Sequence, residues 1–390
     1  MTSIPLSAYG AEIYFRGLAG ERPALPTDPA ELEALARERL EPGPFGYVAG
    51  GAGGGATMRA NRAAFDEVAL VPRMLRDTTA RDWSTTVLGT AMPAPLLLAP
   101  VGVLSIMHTD GELAVARAAA ELGVPMVLST AASHTLEEVA QASGDGPRWY
   151  QLYWPTDDAV TASLLARARA AGYSVLVVTL DTWTLGWRPL DLDQAYLPFL
   201  RGVGTAIPFS DPAFRAGLAA APEDDLMAAV GRWVPMFTGT ALRWDRLDVL
   251  RRNWDGPIVL KGIQHPDDAV AAIEAGMDGI IVSNHGGRQV DRAVGALTTL
   301  PSIVAAVAGR VPVLFDSGVR TGADAAVALA CGADAVLLGR PYVYGLGLAG
   351  ADGVRHVVRS VLAELDLTLA LSGYADLATL RETTDAVHRR

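Results

Sequence analysis

The 390-residue chain reads as an α/β protein, a (β/α)8 TIM barrel. Two observations carry that expectation. From Pro95 onward, eight short apolar runs alternate with longer Ala-rich segments of helical periodicity, the pattern of βα repeats and a parallel sheet. Each run also ends in polar residues, as barrel strands do at the face where catalytic groups gather.

In order, the runs are Leu96 to Ala99, Met126 to Leu128, Trp149 to Leu152 and Val175 to Val178, then Ile258 to Leu260, Ile280 to Val282, Val313 to Phe315 and Ala335 to Leu338. Helix-like stretches between them include Gly111 to Leu122, Ala159 to Ala171, Pro266 to Ala275 and Gly322 to Ala330. Eight strand-helix units favour a closed barrel over an open sheet. The spacing breaks once: about eighty residues separate the fourth run from the fifth, against roughly twenty-five to thirty-five elsewhere. This insertion, at about 189–250, carries Tyr196, Phe199, Phe209, Trp233, Phe237 and Trp244. It emerges at the catalytic face, so it can be a lid that excludes water, or equally an oligomer contact or extra packing. Residues 1–90 read as an N-terminal helical segment with a Gly/Pro-rich loop, 91–350 as the barrel and 351–390 as C-terminal helices. No linker divides them, so residues 1–390 are expected to form a single domain.

Composition narrows the function. A net charge of −11 argues against a nucleic-acid partner, because phosphate backbones need a basic face. A small anion needs only two or three arginines, so local basic sites stay open. A lone Cys331 in an Ala-rich setting reads as a buried structural thiol. No signal core or bilayer-length apolar run is found, so a cytoplasmic protein without a membrane partner is expected.

The strand ends hold the chemistry. They carry Pro100-Val101-Gly102, Ser129, Gln151 with Tyr153, Thr179 with Asp181, Lys261, Ser283 with His285, Asp316, and Gly339-Arg340. The seventh and eighth ends, Asp316-Ser317-Gly318-Val319-Arg320 and Gly339-Arg340-Pro341, combine glycine N–H groups, two arginines and helix starts. That is the usual phosphate site of such barrels. Lys261 can form a Schiff base or act as a fixed positive charge beside an electron-rich ring. His285 has five competitors, none in a metal-type pair, so no metal is expected. Its strand end, and Arg288 three residues on, lift it above the others. Gly345 to Gly350 matches a dinucleotide pattern but is not an early βα turn. Gly50 to Gly55 reads as a flexible turn that can bring Tyr47 to the barrel mouth.

With these residues in view, the chain resembles the FMN-dependent L-2-hydroxy acid oxidizing enzymes from about Tyr47 to about Gly373. The shared motifs are Tyr47 to Ala52, Gln151-Leu152-Tyr153, Thr179 to Thr182, Val259 to Gly262, Ser283 to Gln289, Asp316 to Arg320 and Gly339-Arg340-Pro341. Ala99 to Ser105, Gln151 to Pro155, Tyr196 to Phe199 and the long insertion look most like the lactate 2-monooxygenase branch.

The resemblance implies FMN as cofactor, a small 2-hydroxy acid and dioxygen as reactants, and a homotetramer or homo-octamer. It makes His285 the base and Asp181 its orienting partner. Arg188 and Arg288 would clamp the carboxylate, and Tyr47 and Tyr153 would hydrogen-bond the substrate. Lys261 would lie near flavin N1 and O2. Ser129, Gln151, Thr179, Ser283 and the backbone at Pro100, Val101 and Gly102 would hold the ring and ribityl groups. Asp316, Ser317, Gly318, Val319, Arg320, Gly339 and Arg340 would take the ribityl and phosphate. L-Lactate would give acetate, carbon dioxide and water; the alternative is an oxidase releasing 2-keto acid and hydrogen peroxide. Another class, a Schiff-base lyase on Lys261, would leave His285, Arg288 and Arg188 without a joint role. Gly102 stands where many relatives have alanine, either to change the space beside the flavin or as a backbone-permissive turn. Ala131 replaces a bulky tryptophan, for which Tyr196 or Phe199 can compensate.

Overall fold

The computed structural model describes residues 5–237, 242–383 and 385–390, so a few residues of the insertion lie outside it. Eight parallel strands close into a barrel. They are β1 (Leu96–Leu98), β2 (Met126–Ser129), β3 (Arg148–Leu152), β4 (Leu176–Thr179), β5 (Ile258–Ile263), β6 (Gly279–Val282), β7 (Val313–Phe315) and β8 (Ala335–Leu338). Their order around the barrel follows the chain, and β8 pairs with β1 to close it.

The strands are apolar throughout because both faces are covered. Alternate residues divide between two cores. Leu97, Val127, Trp149, Val177, Val259, Ile281, Leu314 and Leu337 fill the barrel interior as one cluster. Their neighbours Leu96, Leu128, Tyr150, Val178, Leu260, Ile280, Phe315 and Val336 pack outward in the larger cluster with the helices. Such period-2 partition fixes the register, since a one-residue slip would exchange the two sets.

The flanking segments differ from expectation in two places. The N-terminal segment holds helices, including Pro42–Ala49 and Ala56–Asp66, but also a hairpin of Thr85–Val87 with Thr90–Met92. Val87 and Met92 join the interior cluster, and Trp149 Nε1 donates to Thr90 Oγ1 at 2.9 Å, so the hairpin plugs the barrel beneath the strands. The C-terminal segment is not helical alone. After Arg340–Leu371 and Leu377–Glu382, Val387–Arg389 pairs antiparallel with Val68–Leu70. Partners more than three hundred residues apart leave no local signal in three-residue strands. Gly345 to Gly350 lies inside the long Arg340–Leu371 helix, which kinks at Ala349 and Gly350.

The helix Gly322–Ala330 packs on that long helix so closely that only glycine fits at its start. A Cβ on Gly322 would stand 2.2 Å from Leu365 N and 2.4 Å from Val361 O. Backbone cannot yield as a side-chain tip can. Gly322→Ala should cost about 1–3 kcal/mol or more, as overpacking does. Thermal unfolding checks this; an unchanged midpoint would contradict the close packing.

Candidate active site

The site is assembled where the strands end. After β6 the chain turns at once, with His285, Gly286 and Gly287 all at positive φ (57°, 64° and 75°). A non-glycine residue held there costs of order 1–3 kcal/mol and persists only when its surroundings over-determine it. They do so here. His285 N and Gly286 N donate to Ser283 Oγ (3.1 Å) and Ser317 Oγ (3.0 Å), and Gly287 N donates to Asn284 Oδ1 (3.1 Å). Asn284 in turn exchanges amide hydrogen bonds with Asn61 at 2.8 and 2.7 Å, anchoring the turn to the helix Ala56–Asp66.

The turn aims His285 at the loop after β4. Its Nδ1 lies 2.9 Å from Asp181 Oδ1 and 2.9 Å from Thr182 Oγ1, and the Thr182 hydroxyl donates to the same Asp181 oxygen at 2.8 Å. Burial pushes the Asp181 carboxyl up, but His285, Lys261 and the Thr182 hydroxyl outweigh it and leave it at about 2. Burial pushes the His285 imidazole below its ordinary value, and the Asp181 carboxylate offsets only part of that. A neutral imidazole beside an ionised carboxylate is the state of a general base ready to accept a proton. With Nδ1 committed to Asp181 and Thr182, Nε2 is the nitrogen left for a reactant.

Two arginines stand beside it. Arg188 is 5% exposed; its Nε donates to Arg288 O at 3.1 Å and its Nη2 to Gln289 Oε1. Arg288 stacks over the Tyr47 ring at 5.2 Å and donates to Gly50 O at 2.9 Å. Burial and the Arg188 charge together bring Arg288 down to about 10, which leaves it protonated at neutral pH. Burial keeps the phenols of Tyr47 and Tyr153 protonated by raising both.

One cavity joins these groups to the loops after β7 and β8. It is lined by Tyr47, Tyr153, Arg188, His285 and Arg288, by Pro100, Val101, Gly102 and Lys261, and by Asp316 through Arg320 with Gly339 and Arg340. Ser129, Gln151, Thr179, Ser283 and Asp181 do not line it. They sit one layer back, and the first four are at most 2% exposed. Ser129 Oγ donates to Gln151 Oε1 at 2.9 Å, leaving Gln151 Nε2 buried with no hydrogen-bond partner among the described residues. Lys261 Nζ donates to Ser283 Oγ at 2.9 Å and pairs with Asp316 Oδ2 at 3.1 Å. A lysine locked between a hydroxyl and a carboxylate is placed as a fixed partner, not as the free nucleophile a Schiff base needs. Arg340 reaches the cavity, but it donates to Val48 O (2.9 Å), Gly286 O (3.0 Å) and Gly50 O (2.8 Å). Arg320 donates to Val319 O at 3.0 Å.

Three expectations change. The Gly50 to Gly55 segment is no loose turn: Ala52 N donates to Gly287 O, Gly53 N to Trp187 O and Gly54 N to Asp291 Oδ2, at 2.8–2.9 Å. Tyr47 reaches the cavity from the helix Pro42–Ala49 that precedes it. Gly102 does not adopt positive φ. A Cβ there would lie 2.9 Å from Ala131 Cβ and 3.0 Å from Ala131 O, so close approach to Ala131 explains the glycine. Of the two aromatics weighed as pocket wall, Phe199 lines the cavity, whereas the Tyr196 ring packs over Gly43.

Three supports had no role assigned from the sequence: Thr182 and Gln289, which lie inside the shared motifs, and Glu112. Gln289 Nε2 donates to Asp181 O (2.8 Å) and Thr184 O (2.7 Å), which fixes the loop that carries Arg188. Glu112 Oε1 accepts from Leu104 N and Ser133 N, both at 3.0 Å, and Oε2 pairs with His134 Nδ1 at 2.9 Å. It braces the loop after β1, where Val103 is held at φ 63°. The run of polar residues around Asp181 and His285 could have pointed to the first two; an acidic residue in a first helical turn gives no such hint.

The model for FMN-dependent dehydrogenases matches residues 36–387. The chain belongs to this family. An FMN-dependent alpha-hydroxy acid dehydrogenase of Penicillium citrinum is 48% identical over 97% of this chain and 95% of its own length. An L-lactate oxidase of Lysinibacillus sphaericus is 44% identical over 91% of each. Among solved structures, mandelate oxidase with (S)-4-hydroxymandelic acid aligns at a TM-score of 0.83 and 37% identity, covering 93% of this chain and 99% of that one. The family member described here is an FMN-dependent enzyme that oxidises 2-hydroxy acids. Its site fits the cofactor: the unpartnered Gln151 amide, the buried Lys261 ammonium and the glycine-rich ends of β7 and β8 suit a flavin ring and its phosphate.

In Asp181→Asn, the His285 pKa should fall further, because the carboxylate that raises it is gone. Histidine-labelled NMR titration measures this. A rise, or no change, would contradict the pairing.

Proposed function

We propose that this enzyme oxidises L-lactate or a comparably short L-2-hydroxy acid and then retains the 2-oxo acid. Hydrogen peroxide formed from dioxygen decarboxylates that acid in place, so lactate and dioxygen leave as acetate, carbon dioxide and water. The observation that carries this reading is the cover on the cavity. Leu197, Phe199 and Leu200, with Trp233 and Phe237 of the helix Leu226–Phe237, line its wall on the insertion side. Trp233 packs on Phe199 and Phe237 at 5.0 and 5.5 Å between ring centroids, and Phe199 meets Tyr47 at 6.3 Å. A wall of packed aromatics leaves little room for a long substrate side chain and hinders escape of the product.

The chain's own groups divide the work. Arg188 and Arg288 take the carboxylate, and Tyr47 and Tyr153 donate hydrogen bonds to its oxygens or to the hydroxyl. His285 Nε2 accepts a proton from the carbinol group. Asp181 then stabilises the imidazolium and Thr182 keeps the ring in place. FMN, when bound, supplies the two-electron acceptor. Lys261, with Ser283 and Asp316 behind it, provides the positive charge that favours the reduced ring.

The curated names of several relatives favour a second reading, in which 2-oxo acid and hydrogen peroxide leave separately. These relatives are L-lactate oxidases and a 4-hydroxymandelate oxidase of Amycolatopsis orientalis, 40% identical over 90% of this chain and 96% of its own length. Product analysis in air with L-lactate separates the two. Acetate and carbon dioxide in equal amounts, with little free peroxide, are expected. Pyruvate with stoichiometric peroxide would overturn retention, and turnover of mandelate but not lactate would overturn the short substrate.

A further inference from the structure

The insertion opens with a short helix, Pro189–Asp193, and its Asp191 has no part in the chemistry above. Its side chain is 10% exposed, and Oδ2 lies 4.0 Å from Arg188 Nη1. That is too long for a hydrogen bond yet close enough for one charge to feel the other. The second oxygen, Oδ1, is buried with no hydrogen-bond partner among the described residues. The arrangement is unusual, because a buried carboxylate normally saturates its oxygens. The cations that act on it are the two arginines of the clamp: Arg188 at that distance, and Arg288, whose guanidinium and Asp191 influence each other's charge. Tyr47 feels the same carboxylate.

Two guanidinium groups side by side, one buried and one partly buried, repel one another, and an empty clamp needs a counter-charge. A tight ion pair would provide one but would consume the donors that a substrate must use. Asp191 supplies the charge and leaves Arg188 Nη1 without a short partner among the described residues. We infer that Asp191 is the resident counter-carboxylate of the Arg188–Arg288 clamp, and that it sets how strongly a substrate or product carboxylate is held. This rests on the reading of those arginines as the clamp. It makes Asp191 a tuning residue carried by the first helix of the insertion, Pro189–Asp193. Burial raises the Asp191 carboxyl above its ordinary value, and Arg288 and Arg188 pull against that. A second carboxylate arriving in the clamp therefore meets a like charge held at a cost.

The test uses FMN-loaded enzyme and two probes of the same shape, pyruvate and its neutral amide pyruvamide, titrated by the flavin absorbance change. Asp191→Asn should tighten pyruvate by about tenfold, the scale of a nearby like charge removed from a partly buried site, and leave pyruvamide within about twofold. Asp191→Glu, which keeps the charge, should restore the wild-type ratio of the two constants. Asp191→Ser gives the same reading where the asparagine variant folds poorly. Unchanged or weaker pyruvate binding overturns the inference, as does an equal change for both probes, which marks a packing role. Arg188→Met separates the two levels. Where it weakens pyruvate while Asp191→Asn fails to tighten it, the clamp stands and the counter-carboxylate falls; where it leaves pyruvate unaffected, both fall.

Discussion

His285 and Asp181 meet at 2.9 Å across two strand ends, each largely withdrawn from water, and each would be expensive to keep there alone. Burial disfavours the charged form of both, so the stable combination at neutral pH is an ionised Asp181 and a neutral His285. Much of the barrel mouth is arranged around that contact. The positive φ of His285, the hydroxyls of Ser283 and Ser317, and the Asn284–Asn61 exchange all serve to hold one ring in one orientation. On the partner side, Thr182 binds both residues and Gln289 ties down the loop they share.

The same turn also secures the N-terminal segment. Arg288 and Arg340 both donate to Gly50 O, and Arg340 adds Val48 O, so the C-terminal end of the helix Pro42–Ala49 is gripped by two strand-end cations. Cations at a helix C-terminus are favourable because the unpaired carbonyls carry partial negative charge. The grip fixes Tyr47 over the cavity, so a residue more than two hundred positions from His285 joins the site through main-chain carbonyls. Position in the barrel, more than any one side chain, is what the fold contributes.

The barrel is legible in the sequence because parallel strands buried on both faces must be apolar along their length, and eight such runs are hard to miss. The polar strand ends are legible for the same reason: an interruption stands out against an apolar run. What stays hidden depends on contacts between distant segments. Gln289 is one polar residue among several until its amide is seen to bridge to Asp181 and Thr184. Glu112 looks like ordinary first-turn acid, yet it holds two loop N–H groups. The insertion is ambiguous by composition. Phe199, Trp233 and Phe237 face the cavity, while Phe209 stacks on Phe214 and Trp244 stays exposed.

The chemistry proposed for this site turns on a partly buried, neutral imidazole taking the substrate's proton. Anaerobic rapid mixing of FMN-loaded His285→Ala with L-lactate, set against wild type, tests it most directly. The variant is expected to keep its FMN and bind pyruvate, while bleaching of the flavin slows by at least about a hundredfold. Bleaching at close to the wild-type rate would contradict it.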